Sequence, residues 1–431
     1  MSLLETLGLN RRELRAWALY DVANSAFATT IMVAILPVYF QQQIASDLPA
    51  HMRSAYWAYF NAATMIAVAL LSPAFGYFAD VGGTKKKSLA FFTVVGALAS
   101  MALALVGQGD WILTGVIYII ANFSFHAGIV FYESLLPHIA NEKEVHRVST
   151  SAYALGYLGG GILLAINLAW VTQPQLFGLP DASVGVKLSF VSVGIIWLLF
   201  MVPLLRQVPE PLAQKQDVIR APIQASFTAL LQVKRTFSKL RRYPQAMTFL
   251  LAFWLYSDAV GTIINMATIY GLEVGISSDD LVLAILLVQF IGVPASFAFG
   301  PITHAIGPKK ALFITLLIYL SVTSFAYFMS TAWHFWVLAV GVALVQGANQ
   351  AISRSIFAQM VPLQHSGEFF GLFSVMSKFA GLFGPLVFGL LSSNLGESRY
   401  SILFLVFLFV AGMVLLSKVD IEKGKQEAEV V

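Results

Sequence analysis

Two opposite charges stand in the middle of long apolar stretches of the sequence. Asp258 lies within the stretch 247–270, and Lys378 lies within 368–393. If these stretches cross a membrane as helices, each isolated charge costs about 3 kcal/mol or more at the bilayer centre, so such residues are candidates for function. We expect the two charges to pair, and protonation of the aspartate or a substrate carboxylate near the lysine would break the pair. A static ion pair that only orients two helices is the alternative interpretation.

A second acid, Asp21, lies near the start of another apolar stretch. Asn24 follows three residues later, so a helix would bring both side chains to one face. The pattern recurs loosely around Asp258, where a tryptophan and a tyrosine also precede the acid. An acid and an amide on one face could line an interior polar cavity. An interfacial aspartate in contact with water or a basic loop is the alternative interpretation.

Amides and one histidine are the remaining uncharged candidates. Asn122 and His126 stand one helical turn apart, and such a pair could bind a polar solute or relay a proton. A histidine that is simply hydrogen-bonded in the core would have the same sequence pattern. The other amides within apolar stretches are Asn265, Gln289, Gln346, Asn349 and Gln350. These either line a polar pathway or bond across to neighbouring helices.

The composition indicates that the apolar stretches are membrane helices. The chain has 431 residues, of which 58% are hydrophobic and only 11% are charged, whereas roughly 25% of a typical soluble domain is charged. A soluble enzyme, a nucleic-acid-binding protein and a disordered scaffold all fit this composition poorly. The chain has no cysteine, which excludes disulfides and thiolate metal sites.

Runs of about 20 apolar residues, the length that spans a bilayer, predict the individual helices. Twelve are predicted, at 17–40, 56–79, 88–107, 111–135, 149–171, 186–206, 247–270, 280–304, 310–329, 333–357, 368–393 and 399–417. Lysine and arginine cluster at both ends of the chain and in every second loop. Since basic residues accumulate on the cytoplasmic side, this pattern predicts a multi-pass protein of the inner cell membrane with both termini in the cytoplasm.

The longest polar segment divides six predicted helices from six. We expect an N-terminal six-helix half at 1–206, a cytoplasmic central loop at 207–246, and a C-terminal half with a short cytoplasmic tail at 247–431. Apolar residues spaced among basic ones within the loop predict an amphipathic cationic helix on the membrane surface. A linker that merely reconnects the two halves is the alternative interpretation.

An internal repeat relates the two halves. The loop after the second predicted helix carries Gly76, Asp80, Gly83, Lys85 and Lys86. The same spacing recurs at 300–310, 224 residues later, although a histidine there replaces the acid. A duplicated six-helix unit explains this repeat, and the five residues of the first copy are expected to take part in gating.

Charged and small residues at matching repeat positions suggest mechanical roles. Glu133 and Arg354 occupy corresponding ends of predicted helices 4 and 10, so an ion pair between them could close the cytoplasmic mouth. Alternatively, each pairs with the basic loops of its own half. Glycines cluster in predicted helices 5 and 11, at Gly156, Gly159, Gly160, Gly161, Gly381, Gly384 and Gly389. Small residues allow helices to approach closely, as a rocking transporter requires.

The doubled six-helix layout and the glycine–acid–glycine–basic loop resemble the major facilitator superfamily of secondary transporters. The stretch from Trp17 to Thr30 is similar to the opening of the vacuole-effluxer-like family, whose fungal members are autophagy-related exporters of amino acids from the vacuole. The resemblance implies an all-α polytopic membrane protein with twelve transmembrane helices in two pseudo-symmetric six-helix halves. His304, in place of the second acid, departs from the superfamily pattern.

Together these features predict a secondary-active transporter of a small polar solute, with amino acids as the first candidates. We expect alternating access, proton coupling, a midplane site between the halves and a monomer, with no cofactor, metal or nucleic acid. No nucleophile–histidine–acid set stands out among the seven histidines, so an enzyme is not expected. The alternatives are a transport-inactive sensor or interaction protein, a membrane-embedded enzyme or lipid scramblase, and a carrier for sugars, organic anions or drugs.

Overall fold

Every regular element that the structure describes is helical. A computed structural model of the chain describes residues 3–82, 84–140, 145–211, 237–362 and 366–429. Within these ranges, eleven helices are long and apolar enough to cross a membrane. Helices are the expected form, because a helix satisfies its backbone hydrogen bonds internally where no water is available. The chain is therefore an all-α, multi-pass membrane protein, as predicted.

The helices are numbered here in chain order. Their bounds are α1 Arg12–Ile44, α2 Ala50–Gly82, α3 Lys85–Ala102, α4 Trp111–Ile139, α5 Val145–Thr172, α6 Ala182–Gln207, α7 Pro244–Glu273, α8 Ser278–Ile306, α9 Pro308–Ala326, α10 Ala332–Gln359, α11a Ser366–Phe379, α11b Phe383–Leu395, α12 Arg399–Ser417 and α13 Ile421–Glu429. Most helices begin or end several residues beyond the predicted apolar runs. The helical hydrogen bonds thus continue past the apolar core of each span.

The eleventh predicted span is not one continuous helix. The sequence predicts a single helix at 368–393, whereas the structure has α11a and α11b separated by a turn at 380–382. Pro385 explains the break, because proline lacks an N–H group and its ring collides with the carbonyl four residues earlier, here that of Gly381. Glycines at 381 and 384 further weaken the helix. The single-helix prediction is therefore wrong at this point.

The chain divides into two compact units. Unit 1 comprises Met1–Leu48 and Leu70–Ser226, and unit 2 comprises Pro49–Ala69 and Phe227–Val431. The first part of α2 thus belongs to the unit that contains α7 to α13. The proposed central loop lies largely at 212–236, outside the described residues. Its amphipathic helix, and the division at 206 and 247, stay predictions.

Each unit has its own aromatic core. In unit 1, the Trp197 ring lies 4.9 Å from that of Phe27 and 6.2 Å from that of Phe125. In unit 2, the Phe253 and Phe373 rings stack at 4.2 Å. Large apolar side chains also stay exposed along α3, α4, α6 and α12, which is the arrangement expected where lipid rather than water surrounds a helix.

Candidate functional site

Asp258 is buried at the break in helix 11. Its side chain lies in the middle of α7 and is only 3% exposed. The carboxylate accepts hydrogen bonds from the backbone N–H groups of Phe383 and Gly384, the first residues of α11b. These N–H groups have no partner within their own helix, and the positive end of the helix dipole favours an anion there. The break therefore supplies the donors that hold the acid.

Close packing of α7 on α11b depends on Gly384. The Thr262 hydroxyl donates to the Asp258 carbonyl oxygen at 2.7 Å. A Cβ atom at position 384 would lie 3.0 Å from Thr262 Cβ and 3.1 Å from the Asp258 carbonyl oxygen. Both separations are shorter than ordinary contacts, so glycine is the residue that lets the two helices meet here.

One face of α7 carries several polar atoms without partners. Among the described residues, Asp258 Oδ1, Trp254 Nε1 and Asn265 Oδ1 are buried and make no hydrogen bond. They stand four and seven residues apart, a spacing that aligns them along one helix face. Because unsatisfied polar atoms in a membrane interior are costly, this face is a candidate lining for a polar pathway.

The predicted partner of Asp258 is Lys378. Lys378 belongs to α11a, but its side chain lies outside the described part of the chain. The Asp258–Lys378 pair therefore stays a prediction. Sequence reasoning missed the backbone donors at residues 383 and 384, since no residue type in the sequence marks them.

Asp21 and Asn24 meet in unit 1, as their spacing predicts. Asn24 Nδ2 donates to Asp21 Oδ1 at 3.4 Å, and both side chains lie at least partly buried on α1. Gly156 of α5 packs against Asp21 and Ser25, because a Cβ atom there would lie 2.9 Å from Asp21 Oδ2 and 2.5 Å from Ser25 Oγ. The acid of α1 thus lies against a glycine, whereas the acid of α7 accepts from a glycine N–H.

Aromatic residues enclose the start of α1. The Trp17 indole N–H donates to the Tyr132 carbonyl at 2.9 Å, and the two rings stack at 4.4 Å. The Tyr20 hydroxyl lies 2.6 Å from Thr93 Oγ1 and accepts from Trp197 Nε1 at 3.1 Å. The sequence did not indicate this network, because its members lie far apart along the chain.

Asn122 and His126 both lie on α4, but the side chain of Asn122 forms its hydrogen bond with Tyr118. Asn122 Nδ2 donates to the Tyr118 hydroxyl at 3.1 Å, while its Oδ1 has no partner among the described residues. His126 is half-buried, with its ring 5.0 Å from that of Phe125. A shared role for the two in binding solute or protons stays a prediction.

The amides of α10 divide into one structural residue and two more exposed ones. Asn349 Nδ2 donates to Thr315 Oγ1 of α9 at 3.1 Å, so this amide bonds across to a neighbouring helix. Gln346 is half-buried and Gln350 is exposed. Gln289 of α8 is also half-buried. A solute-binding role for these residues stays a prediction.

The predicted gating loop is described only in part. Gly76 and Asp80 fall within α2, but the surroundings of both residues lie outside the described part of the chain. Gly83 is not among the described residues. Lys85 is buried, and its Nζ lies 3.1 Å from His138 Nε2 at the end of α4. The loop is therefore anchored to α4.

The other gating candidates are either exposed or bonded within their own unit. The backbone N–H of Lys86 donates to Glu210 Oε1 at 2.9 Å. Glu133 is exposed on α4 in unit 1, and Arg354 is exposed on α10 in unit 2. The proposed ion pair between Glu133 and Arg354 stays a prediction.

A further acid, Glu273, joins three helix ends of unit 2. It is the last residue of α7 and accepts hydrogen bonds from the Ser398 N–H at 2.9 Å, from the Ser398 hydroxyl at 2.5 Å and from the Ser54 hydroxyl. Ser392 Oγ lies 2.7 Å from Ser398 Oγ. These four residues are called the Glu273 cluster below. Sequence reasoning overlooked it, because an acid at the end of an apolar stretch ordinarily faces water.

Solved transporters share the fold of this chain. A D-xylose–proton symporter matches with a TM-score of 0.69, covering 98% of this chain and 100% of that one at 14% identity. A bacterial homologue of the human lysosomal transporter Spinster, in an inward-facing and unoccupied conformation, matches with a TM-score of 0.66 over 97% of both chains, also at 14% identity. The chain therefore has the all-α fold of the major facilitator superfamily.

Sequence relatives identify the family. An uncharacterised MFS-type transporter of Bacillus subtilis, YxiO, is 34% identical over 409 residues, which cover 94% of each chain. Autophagy-related protein 22 of Yarrowia lipolytica is 24% identical over 438 residues, covering 81% of this chain and 73% of that one. The family model described as vacuole effluxer Atg22 like matches residues 50–429. The chain belongs to this family, so the resemblance found in the sequence is confirmed, and its relatives indicate a membrane transporter.

Proposed function

We propose that this transporter moves a small polar solute, with amino acids as the first candidates, by alternating access coupled to protons. The observation that carries the proposal is Asp258, a buried carboxylate with one oxygen held by the α11b backbone and the other without a partner among the described residues. A charged group in the membrane interior costs free energy, so a residue of this kind is a candidate for function.

Asp258 can respond to a proton or to a solute. An ionised carboxylate accepts charge-assisted hydrogen bonds that are roughly twice as strong as neutral ones. Protonation would therefore weaken its hold on the start of α11b. A solute ammonium group at the unpartnered Oδ1 would instead neutralise the charge without breaking those bonds. The proton therefore favours a looser packing of α7 on α11b and the solute favours the closed one, and a ligand that favours one packing shifts the conformational equilibrium.

The two units carry the same kind of arrangement. In unit 1, a carboxylate oxygen of Asp21 lies against Gly156, and in unit 2, the Asp258 carboxylate accepts from the Gly384 N–H. Each acid lies on the first helix of its predicted half and each glycine on the fifth. We propose that both acids line the solute and proton pathway, together with Asn24 and the polar face of α7.

The choice of amino acids rests on the resemblance of residues 17–30 to exporters of amino acids. Location in the inner cell membrane with cytoplasmic termini rests on the distribution of basic residues. The six-helix halves, the Asp258–Lys378 pair, the Glu133–Arg354 gate and a monomeric state belong to the same proposal.

Uptake into proteoliposomes tests the proposal. We expect purified protein to accumulate a labelled amino-acid mixture faster when a pH gradient is imposed. Asp258→Asn should lose the response to the gradient while still reconstituting. Asp279→Asn, which removes an exposed acid in the first turn of α8, is the matched control and should behave like the parent protein.

The remaining outcomes separate the alternatives. Uptake that ignores the gradient in the parent protein would contradict proton coupling but leave the carrier function. No uptake by correctly reconstituted protein would contradict the amino-acid proposal. Labelled sugars, organic anions and drugs would then be tested in turn, and failure with all of them would favour a sensor or interaction protein.

A further inference from the structure

A polar cavity opens beside the Glu273 cluster. Its volume is about 360 Å³, within the range of roughly 300–1,000 Å³ that is usual for small-molecule sites. The residues that line it all belong to unit 2, and they are Ala50, His51, Tyr270, Glu273, Val274, Gly396, Glu397 and Arg399. We call it the Arg399 cavity. It lies where α7 ends and α12 begins, away from Asp258 in the middle of α7.

Opposite charges line the Arg399 cavity without neutralising each other. Glu273 and Arg399 are both half-buried, yet no ion pair within 4.0 Å joins them in the part of the chain that the structure describes. Arg399 instead donates to the Met329 carbonyl at 3.4 Å, forms a hydrogen bond with Tyr270 and lies 6.0 Å from the centre of the Tyr327 ring. These contacts use only a fraction of its five N–H donors.

The carboxylate of Glu273 is fixed in place. Ser54 and Ser398 hold it from two sides, so it is presented to the cavity in one orientation. The three other ionisable groups of the lining are His51, which is half-buried, Glu397, which is exposed, and Tyr270, which is buried and donates to the Ala326 carbonyl at 3.1 Å. The cavity thus offers an anchored anion, a guanidinium group with donors to spare, and a polar rim.

We propose that the Arg399 cavity binds a zwitterionic solute with an ammonium and a carboxylate group, as an amino acid has. The carboxylate pairs with the Arg399 guanidinium, whose planar fork matches two carboxylate oxygens. The ammonium group bonds to Glu273, where its positive charge adds a Coulomb attraction that a neutral serine hydroxyl lacks. The identity of the solute class rests on the proposed function, whereas the site itself rests on the cavity and its charges.

Solute binding at this position would also change how helix ends are joined. An ammonium group at Glu273 competes with Ser54, whose hydroxyl ties the beginning of α2 to the end of α7. The Arg399 cavity would therefore be a second solute site, separate from Asp258, at which the solute loosens the contact of α2 with α7.

The absence of cysteine in the chain allows a direct test by thiol protection. Ala50→Cys places one thiol in the cavity lining, and its reaction with a maleimide is followed in purified protein. A mixture of the common amino acids should slow the reaction about tenfold at about ten times Kd, because only the unoccupied fraction reacts. The same amino acids with acetylated amino groups, and amino alcohols that lack the carboxylate, should give no protection.

Charge variants identify the binding groups. Arg399→Gln and Glu273→Gln should each raise the amino-acid concentration needed for protection by about tenfold to a hundredfold, the usual effect of losing a hydrogen bond to a charged group. Arg242→Gln, at an exposed position outside the cavity, should leave it unchanged. A thiol from Ser330→Cys, exposed and not in the lining, should never be protected.

Two results would overturn the inference. One is the absence of protection by amino acids in folded Ala50→Cys protein. The other is protection that persists in both Arg399→Gln and Glu273→Gln. If amino acids are taken up but do not protect the thiol, only the proposed binding in the Arg399 cavity is refuted. If there is neither uptake nor protection, the proposed amino-acid transport is refuted as well.

Discussion

Gly384 donates its backbone N–H to the carboxylate of Asp258, and the absence of a side chain at Gly384 allows the two helices to approach that closely. The free N–H follows from Pro385, which prevents helix 11 from continuing and so leaves the first N–H groups of α11b without partners in their own helix. A helix break caused by local sequence thus becomes the binding partner of a buried acid in another helix.

The first prediction concerns the space at Gly384. Gly384→Ala should lower the free energy of unfolding by about 1–3 kcal/mol, because the new methyl group would overlap Thr262 and crowd the Asp258 carbonyl. Thermal unfolding of the purified protein in detergent measures the change. Gly128→Ala is the control, since a Cβ there would meet only Leu89 Cδ1 at 3.7 Å, and it should be neutral or slightly stabilising. An unchanged midpoint for Gly384→Ala would contradict the close packing.

The second prediction concerns a close contact between α1 and α5 in unit 1. At Gly159 of α5, the three nearest atoms to a new Cβ all belong to Val22 of α1. Gly159→Ala should therefore destabilise the protein by about 1–3 kcal/mol, and Val22→Ala should offset part of this loss in the double variant. A double-mutant cycle of unfolding midpoints measures the coupling between the two positions. Strictly additive effects would show that α1 and α5 do not meet at this point.

The positions of the helices could be predicted from sequence, and the reason is physical. A membrane span must be apolar over a fixed length and must satisfy its own backbone, so hydropathy alone indicates where each helix lies. The helix ends were predicted less well, because helices such as α2 continue into polar sequence around His51 and Ser54. The break in helix 11 was missed, since glycine and proline are also tolerated within continuous membrane helices.

The candidate site could be predicted only as single residues. Asp21, Asn24 and Asp258 were identified because charged and amide groups are rare in apolar stretches. The contact of Asp21 with Asn24 follows from their spacing, whereas the backbone N–H groups that hold Asp258 leave no mark in the composition. The Glu273 cluster was missed for a different reason. Its hydrogen bonds join residues 125 and 219 positions apart, and such distances cannot be inferred from one sequence without knowing how the helices pack.

The third prediction concerns the buried hydroxyl of Tyr20. Tyr20→Phe should lower the free energy of unfolding by about 1–3 kcal/mol, because Trp197 Nε1 would lose its acceptor, the Tyr20 hydroxyl, inside the core. The midpoint of thermal unfolding measures the effect. Tyr400→Phe removes a hydroxyl from a side chain that is 42% exposed, and this control should change nothing. Equal midpoints for the two variants would mean that the Tyr20 hydrogen bonds contribute nothing net.

The fourth prediction concerns Glu273 as the residue that joins α2 to α7. Glu273→Gln removes the negative charge of the acceptor, so the bonds of Ser54 and Ser398 to this side chain are no longer charge-assisted. A hydrogen bond to a charged group contributes about 1.5–3 kcal/mol, so local opening should become about tenfold more frequent or more. Ala55→Cys places a thiol at a position that is 0% exposed, and its maleimide reaction should accelerate accordingly. Asp279→Asn should not accelerate it, and equal rates in all three backgrounds would show that Glu273 does not hold α2.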